Sequence, residues 1–239
     1  VILEFEKWEA LGNDFILTKC LPSFDLIPKI CHRKYGVGAD GLIYLDEQRQ
    51  TPLMKFFNAD GTCVAMCGNG LRCAMTYLEK HNRPLKLELE GVVYSGLRQE
   101  GRLYVTMPVP YVLNIDHPPY SGLWVYAGVP HFLIEKPQVH QGDLPCDVFE
   151  NRYHKSFGPQ GSNITFYEKQ GSSIYLRTAE RGVDEETLAC GSAAIACSIL
   201  SDELDLDMIY KTGQKAFVKK TQEGIALAGQ AQFVFSGRY

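Results

Sequence analysis

Two short segments carry residues that together could move protons. The first is Met66-Cys67-Gly68-Asn69-Gly70. It runs into Leu71, Ala74, Met75 and Leu78, an i, i+3, i+4, i+7 spacing that predicts a helix. The second is Ala189-Cys190-Gly191-Ser192, followed by Ala193, Ala194, Ile195, Ala196, Cys197, Ile199 and Leu200. A helix apolar nearly all round is one wrapped on all sides. In both segments a cysteine stands at the predicted helix start, where it faces unpaired backbone N–H groups and the positive end of the helix dipole. That placement can lower a cysteine pKa from about 8.5 to roughly 3.5–7.5. The same N–H groups would bind a carboxylate, and the glycines let the backbone approach it. A thiolate and a thiol on opposite faces of one α-carbon would invert it, with the carbanion stabilised by oriented dipoles. Residue types alone leave a second reading open, in which both cysteines are simply buried helix-start residues.

Each helix needs a frame to aim it. Strand-like alternation recurs at Leu3–Lys7, Leu53–Phe57, Leu85–Leu89, Leu103–Met107, Ile164–Tyr167, Ile174–Arg177 and Phe233–Phe235. In the first half a strand leads through Asn58-Ala59-Asp60-Gly61 to Cys67-Gly68 and a helix. In the second half a strand leads through Glu180-Arg181-Gly182 to Cys190-Gly191 and a helix. The repeated order predicts two related domains, with a boundary near Met107-Pro108-Val109-Pro110 and His117-Pro118-Pro119. The segment Gly36-Val37-Gly38-Ala39-Asp40-Gly41 matches the dinucleotide fingerprint in letters only. That motif requires a strand before it and a helix after it. Here a predicted helix, Ile27 to Tyr35, precedes it and a predicted strand, Leu42 to Leu45, follows.

The bulk properties narrow the field of partners. The 239 residues are 45% hydrophobic and 22% charged, with a formal charge of −4. Such a chain lacks the basic face that nucleic acid or an anionic membrane would need. The alternating start, Val1 to Trp8, does not read as a secretory signal. No apolar run approaches the roughly 18 residues needed to span a bilayer, and Leu188 to Leu200 reads as a buried helix. Eight cysteines without a signal are weak grounds for disulfides. The C-x3-C-x5-C spacing of Cys63, Cys67 and Cys73 has no CxxC pair or clustered histidines and is a poor zinc pattern.

Several segments, in this order, resemble the diaminopimelate epimerase family: Ala10-Leu11-Gly12-Asn13-Asp14-Phe15, Gly36 to Leu42, Phe57-Asn58-Ala59-Asp60-Gly61, Met66 to Cys73, Gly161-Ser162-Asn163, and Glu180-Arg181-Gly182 through Cys190-Gly191. The resemblance extends to Gln232-Phe233-Val234-Phe235. It implies an α/β (α+β) fold of two pseudo-symmetric domains, each a curved, mostly antiparallel sheet wrapped around a central helix, with the active site in the cleft. The expected halves are 1–112, joined by a returning strand at 230–239, and 113–229. Cys67 and Cys190 would be the alternating base and acid, without cofactor or metal. Gly68, Asn69, Gly191 and Ser192 would bind the carboxylate at the reacting carbon. Asn13, Asn58, Asn163, Glu180 and Arg181 would recognise the other polar groups of diaminopimelate, Arg181 through its planar fork. His131 and Glu180 would tune the thiols. The resemblance also implies a cytoplasmic enzyme of lysine and peptidoglycan-precursor synthesis, and a homodimer.

Three departures bear on specificity. Val129 stands in Gly128-Val129-Pro130-His131 where the family usually has asparagine, Gly41 stands where some relatives carry an amide, and the loop Val183-Asp184-Glu185-Glu186 is one residue longer than the common form. Loss of a hydrogen-bonding partner relaxes discrimination. Racemisation of a shorter acidic amino acid such as glutamate is therefore an expectation to test. Competing readings are a proline racemase-like enzyme, which also uses paired cysteines, and a non-catalytic binding protein that retains the fold.

Overall fold

The structure is a computed structural model and describes residues 2–183, 185–222 and 224–239. Val1 of the expected first strand and Asp184 of the lengthened loop lie outside the described residues. The chain divides into two compact units, one reaching Thr106 and resuming at Ala228–Tyr239, the other spanning Met107–Leu227.

The first unit contains β1 (Glu4–Ala10), β2 (Asn13–Thr18), α1 (Ile27–Cys31), β3 (Gly41–Asp46), β4 (Leu53–Asn58), β5 (Cys63–Val64), α2 (Gly68–Lys80), β6 (Lys86–Leu89), β7 (Val92–Gln99) and most of β8 (Arg102–Met107). Strands β1 and β2 pair antiparallel, β2 and β3 parallel, β3 and β4 antiparallel, β4 and β6 parallel, and β6 and β7 antiparallel. Helix α2 is the crossover between β4 and β6. Parallel neighbours require such a connection, because a tight turn cannot join them. The predicted face of α2 is its buried face: Leu71, Ala74, Met75 and Leu78 are all fully covered.

The second unit contains β9 (Tyr111–Val112), β10 (Leu123–Tyr126), β11 (Pro130–Glu135), α3 (Val148–Asn151), β12 (Asn163–Gln170), β13 (Ser173–Ala179), α4 (Gly191–Cys197), β14 (Asp205–Tyr210), β15 (Lys215–Thr221) and most of β16 (Gly224–Gly229). Its pairings repeat those of the first unit. Strands β10 and β11 are antiparallel, β11 and β12 parallel, β12 and β13 antiparallel, β13 and β14 parallel, and β14 and β15 antiparallel. Helix α4 is the crossover between the parallel pair β13 and β14, as α2 is between β4 and β6. The final strand, β17 (Gln232–Arg238), pairs antiparallel with β1. The fold class is a sheet-dominated α+β architecture with few helices.

Local chemistry moves several expected boundaries. The helix expected over 27–35 stops at Cys31, because His32 turns extended and its Nδ1 accepts the N–H groups of Lys34 and Tyr35. The helix expected over 188–200 starts at Gly191, leaving Leu188 half exposed, and ends in a 3-10 turn at Ser198–Leu200. Residues Tyr111–Val112 fall in the second unit, where they pair with β10, so the division lies before Met107 rather than after 112.

Candidate active site

In the first unit Cys67 is the N-cap of α2, with extended backbone angles (φ −143°, ψ 104°), and its Sγ accepts the Gly70 N–H at 3.3 Å. Gly68, Asn69 and Gly70 form the buried first turn behind it. A chain of hydrogen bonds orients that turn. The Asn69 amide donates to Asn13 Oδ1 and accepts from Arg72 Nη2, while Asn13 Nδ2 donates to Asp40 Oδ2 at 3.0 Å. Asp40 and Asp14 share Arg33, whose Nη2 lies 2.6 Å from Asp40 Oδ1 and 2.8 Å from Asp14 Oδ1, and Lys7 Nζ lies 2.7 Å from Asp14 Oδ2. Burial of Asp14 opposes ionisation, but hydrogen bonds from Arg33 and Lys7 prevail and hold its carboxyl down at about 2. Asn58 stands apart from this chain, donating to Thr62 Oγ1 at 3.0 Å.

The amides of residues 36–40 are all bonded within the first unit. The N–H groups of Gly36, Val37, Gly38 and Ala39 all go to carbonyls of His32, Ile30 or Cys31, and that of Asp40 goes to Asp14. At Gly41 an added Cβ would fall 2.5 Å from the Phe57 carbonyl oxygen and 2.8 Å from the Phe56 ring. A side chain there would need the Phe57 backbone as well as the Phe56 ring to move.

In the second unit Cys190 is the N-cap of α4 and only 5% exposed. Its Sγ lies 3.3 Å from Ser192 Oγ, which lies 2.9 Å from Nε2 of the fully buried His131. His131 Nδ1 lies 3.1 Å from Thr165 Oγ1, itself 3.2 Å from Thr178 Oγ1. Asn163 Nδ2 reaches His131 Nε2 at 3.3 Å, and its Oδ1 accepts the Arg181 N–H at 2.9 Å. With Asn163 donating, Nε2 is the accepting nitrogen and the proton sits on Nδ1, directed at Thr165. Burial keeps the imidazole neutral, with its pKa pushed down to about 3.

Cys190 and the carboxyl of Glu180 beside it both favour their neutral forms. Burial pushes the Cys190 thiol well above its usual range, and the neighbouring Glu180 carboxyl adds to the rise. Burial also raises Glu180, against a hydrogen bond from Cys190 that lowers it. This corrects the expectation of a lowered pKa at this helix start. Helix α4 is seven residues long, and its dipole is outweighed by desolvation.

Arg181 Nη1 donates to the Gln160 carbonyl at 2.9 Å, while its buried Nε has no hydrogen-bond partner among the described residues. Burial lowers the Arg181 pKa, against the opposing pull of Tyr153 and Glu180. Sequence reasoning missed four residues that frame this half. Arg177, 1% exposed, pairs through Nε with Glu186 Oε1 at 2.7 Å and donates through Nη1 to the Gly142 carbonyl at 2.6 Å. Arg152 and Tyr153 hold the turn that carries Arg181. The period-2 pattern of β13 was visible around Arg177, but nothing in Asn151-Arg152-Tyr153-His154-Lys155 distinguishes it from a solvated charged surface.

Comparison with known proteins decides the family. The family model described as diaminopimelate epimerase matches residues 7–106. A relative from Hydrogenobaculum sp. (strain Y04AAS1), named diaminopimelate epimerase, is 32% identical over 97% of this chain and 96% of its own length. The chain belongs to the diaminopimelate epimerase family. It is thus an isomerase of the epimerase class. A second diaminopimelate epimerase, from Methanocella arvoryzae, is 31% identical over 98% of this chain and 96% of its own. Among solved structures, a phenazine biosynthesis protein PhzF family member from Enterococcus faecalis matches with a TM-score of 0.73 at 12% identity, over 100% of this chain and 99% of that one. A hydroxyproline epimerase from Agrobacterium vitis, with bound trans-4-OH-L-proline, gives a TM-score of 0.69 at 10% identity, over 100% of this chain and 91% of that one. At those identities the likeness is one of fold. No helix among the described residues is long and apolar enough to cross a membrane.

Proposed function

We propose that this member of the diaminopimelate epimerase family interconverts LL- and meso-diaminopimelate by a two-thiol mechanism without a cofactor, in lysine and peptidoglycan-precursor synthesis. The observation that carries the reading is the pair of cysteine N-caps, Cys67 on α2 and Cys190 on α4, each at the start of a crossover helix in its own unit.

The roles follow from the surroundings of each sulfur. Cys67 Sγ accepts a backbone N–H, an arrangement that favours the thiolate and suits a base. Cys190, buried beside Glu180, is a neutral thiol and suits an acid. Abstraction of the α-proton by Cys67 and delivery of a proton by Cys190 inverts the centre, and the reverse direction exchanges the roles. The reading requires both sulfurs to flank one α-carbon. The backbone amides at Gly68, Asn69, Gly191 and Ser192 receive the carboxylate at that carbon and stabilise the charge it gains.

Arg181 supplies the second charged end with its partner. A half-exposed guanidinium whose buried Nε is unpartnered among the described residues is matched by a carboxylate, which can take two parallel hydrogen bonds. Asn13, Asn58 and Asn163 supply the remaining polar contacts. Val129 offers no side-chain hydrogen bond, so glutamate is a secondary substrate if Arg181 reaches its side-chain carboxylate. The active form is a homodimer in the cytoplasm, where reducing conditions keep both thiols free.

The test is α-proton exchange in deuterated water across LL-diaminopimelate, L-glutamate and L-proline. Exchange and epimerisation of diaminopimelate support the reading. Exchange of proline alone replaces it with a proline racemase activity, and exchange of none points to a non-catalytic protein.

A further inference from the structure

Arg152 caps the short helix α3 and is 5% exposed, yet among the described residues its hydrogen bonds go to main-chain carbonyls and not to a carboxylate. Its Nε donates to the Phe149 carbonyl at 2.8 Å. Its Nη1 donates to two others, those of Glu180 and Val183. These two carbonyls are the ends of one tight turn, Glu180-Arg181-Gly182-Val183, closed by the Val183 N–H on the Glu180 oxygen at 3.3 Å. Gly182 takes the third position with φ +75°, the left-handed conformation that glycine adopts without strain.

Neighbouring groups hold the rest of the turn. Tyr153 Oη accepts the Gly182 N–H at 3.0 Å, and Asn163 Oδ1 accepts the Arg181 N–H at 2.9 Å. The guanidinium of Arg152 also lies over the Phe149 and Tyr153 rings, 5.1 and 5.6 Å from their centroids. The backbone of Arg152 organises a second segment. Its carbonyl accepts the Ser162 N–H at 2.7 Å, and a Cβ added to Gly161 would fall 2.4 Å from that oxygen. One buried residue therefore ties down both the turn bearing Glu180 and Arg181 and the segment bearing Asn163.

We propose that Arg152, assisted by Tyr153, is a positioning residue that fixes the Glu180–Val183 turn so that the Arg181 guanidinium is aimed at the distal carboxylate of the substrate. This deepens the proposed function and rests on it for the identity of the substrate, but not for the geometry. Arg181 binds a part of the substrate remote from the reacting carbon. Its misplacement weakens ground state and transition state alike, and so acts on KM and little on kcat.

The full chain carrying Arg152→Met tests this. The KM for diaminopimelate is expected to rise about tenfold with kcat changed less than about threefold, and amide exchange at Arg181 and Gly182 to accelerate about tenfold. Arg152→Lys keeps the charge without the fork and is expected to restore only part of each effect. If Arg152→Met does not fold, Tyr153→Phe replaces it; that change removes one acceptor from an exposed side chain and is expected to speed exchange at Gly182 and raise KM about threefold. A KM within about twofold of the unsubstituted value with unchanged exchange overturns the proposal, as does a fall in kcat alone. If the unsubstituted protein does not turn over diaminopimelate, the proposed function has failed, and the exchange rates decide the role of Arg152 by themselves: faster supports it, unchanged removes it.

Discussion

The hydroxyl of Ser192 stands between a thiol and an imidazole, 3.3 Å from Cys190 Sγ and 2.9 Å from His131 Nε2. Because Nε2 accepts, Ser192 donates to it, and the serine oxygen lies against the Cys190 sulfur while the thiol also bonds the Glu180 carboxyl. Ser192→Ala removes this bridge and leaves a buried nitrogen with fewer partners. We expect it to lower kcat about tenfold and stability by about 1–3 kcal/mol, read by steady-state kinetics and urea unfolding. Unchanged kcat would detach His131 from the chemistry.

A buried imidazole and a half-buried carboxylate set the acid limb of stability. His131 has a folded pKa of about 3, below its ordinary 6.5, so the unfolded chain binds a proton that the folded one refuses. Its contribution is whole above about pH 6.5 and is lost as pH falls toward 3, at most roughly 1.4 kcal/mol per pH unit. Asp14, held at about 2, adds a later loss between about 3.8 and 2 as its pairing with Arg33 and Lys7 is neutralised. Glu180 has the opposite sign: its raised pKa favours folding at low pH, and that benefit is lost as pH rises through the folded value. Urea unfolding from pH 7 to 4 is expected to show a steeper decline in the unsubstituted protein than in His131→Gln. Equal slopes would contradict the assignment.

The two candidate thiols differ in accessibility. Cys190 is buried with a raised pKa, whereas Cys67 is only partly covered. Iodoacetamide near pH 8 is expected to label Cys67 at least about tenfold faster than Cys190, since the thiolate is the reactive form. The exposed Cys20, Cys63 and Cys146 label as well, so rates are read peptide by peptide in the mass spectrometer. The reverse order would mean that Cys190 is more open and more acidic than its surroundings dictate.

Gly161 and Gly142 separate crowding from backbone conformation. Both have left-handed φ values, +68° and +67°, but only at Gly161 does an added Cβ meet a neighbour, the Arg152 carbonyl. Gly142→Ala is expected to destabilise by about 1–2 kcal/mol from conformation alone, and Gly161→Ala by more than that. Equal losses by calorimetry would show that the Gly161 segment does not lean on Arg152.

Much of this fold was legible because short-range patterns carried it. The spacing of Leu71, Ala74, Met75 and Leu78 named the buried face of α2, and the doubled order of strand, loop, Cys-Gly and helix reappears as two crossover helices between parallel strands. The reversed order around Gly36–Gly41, helix before and strand after, reappears as α1 and β3, and the amides of residues 36–40 are bonded internally. What escaped notice was set by contacts distant in sequence. Arg152 acts on residues 28 and 31 positions away, and its neighbours give no sign of burial. The pKa of Cys190 departs from what its helix start suggests for a related reason. A helix start is visible in a sequence, but the packing that desolvates it and the carboxyl brought beside it are not.

The central claim is that one thiol takes the α-proton and another returns it. The direct measurement is the isotopic content of both isomers at early conversion of LL-diaminopimelate in deuterated water. Two bases predict deuterium at the inverted carbon of the meso product and almost none in the recovered LL substrate, because the abstracted proton stays on Cys67 while Cys190 delivers deuterium. Recovered substrate labelled as fully as product, or product that keeps the original proton, would mean that a single group works both faces and would contradict the account.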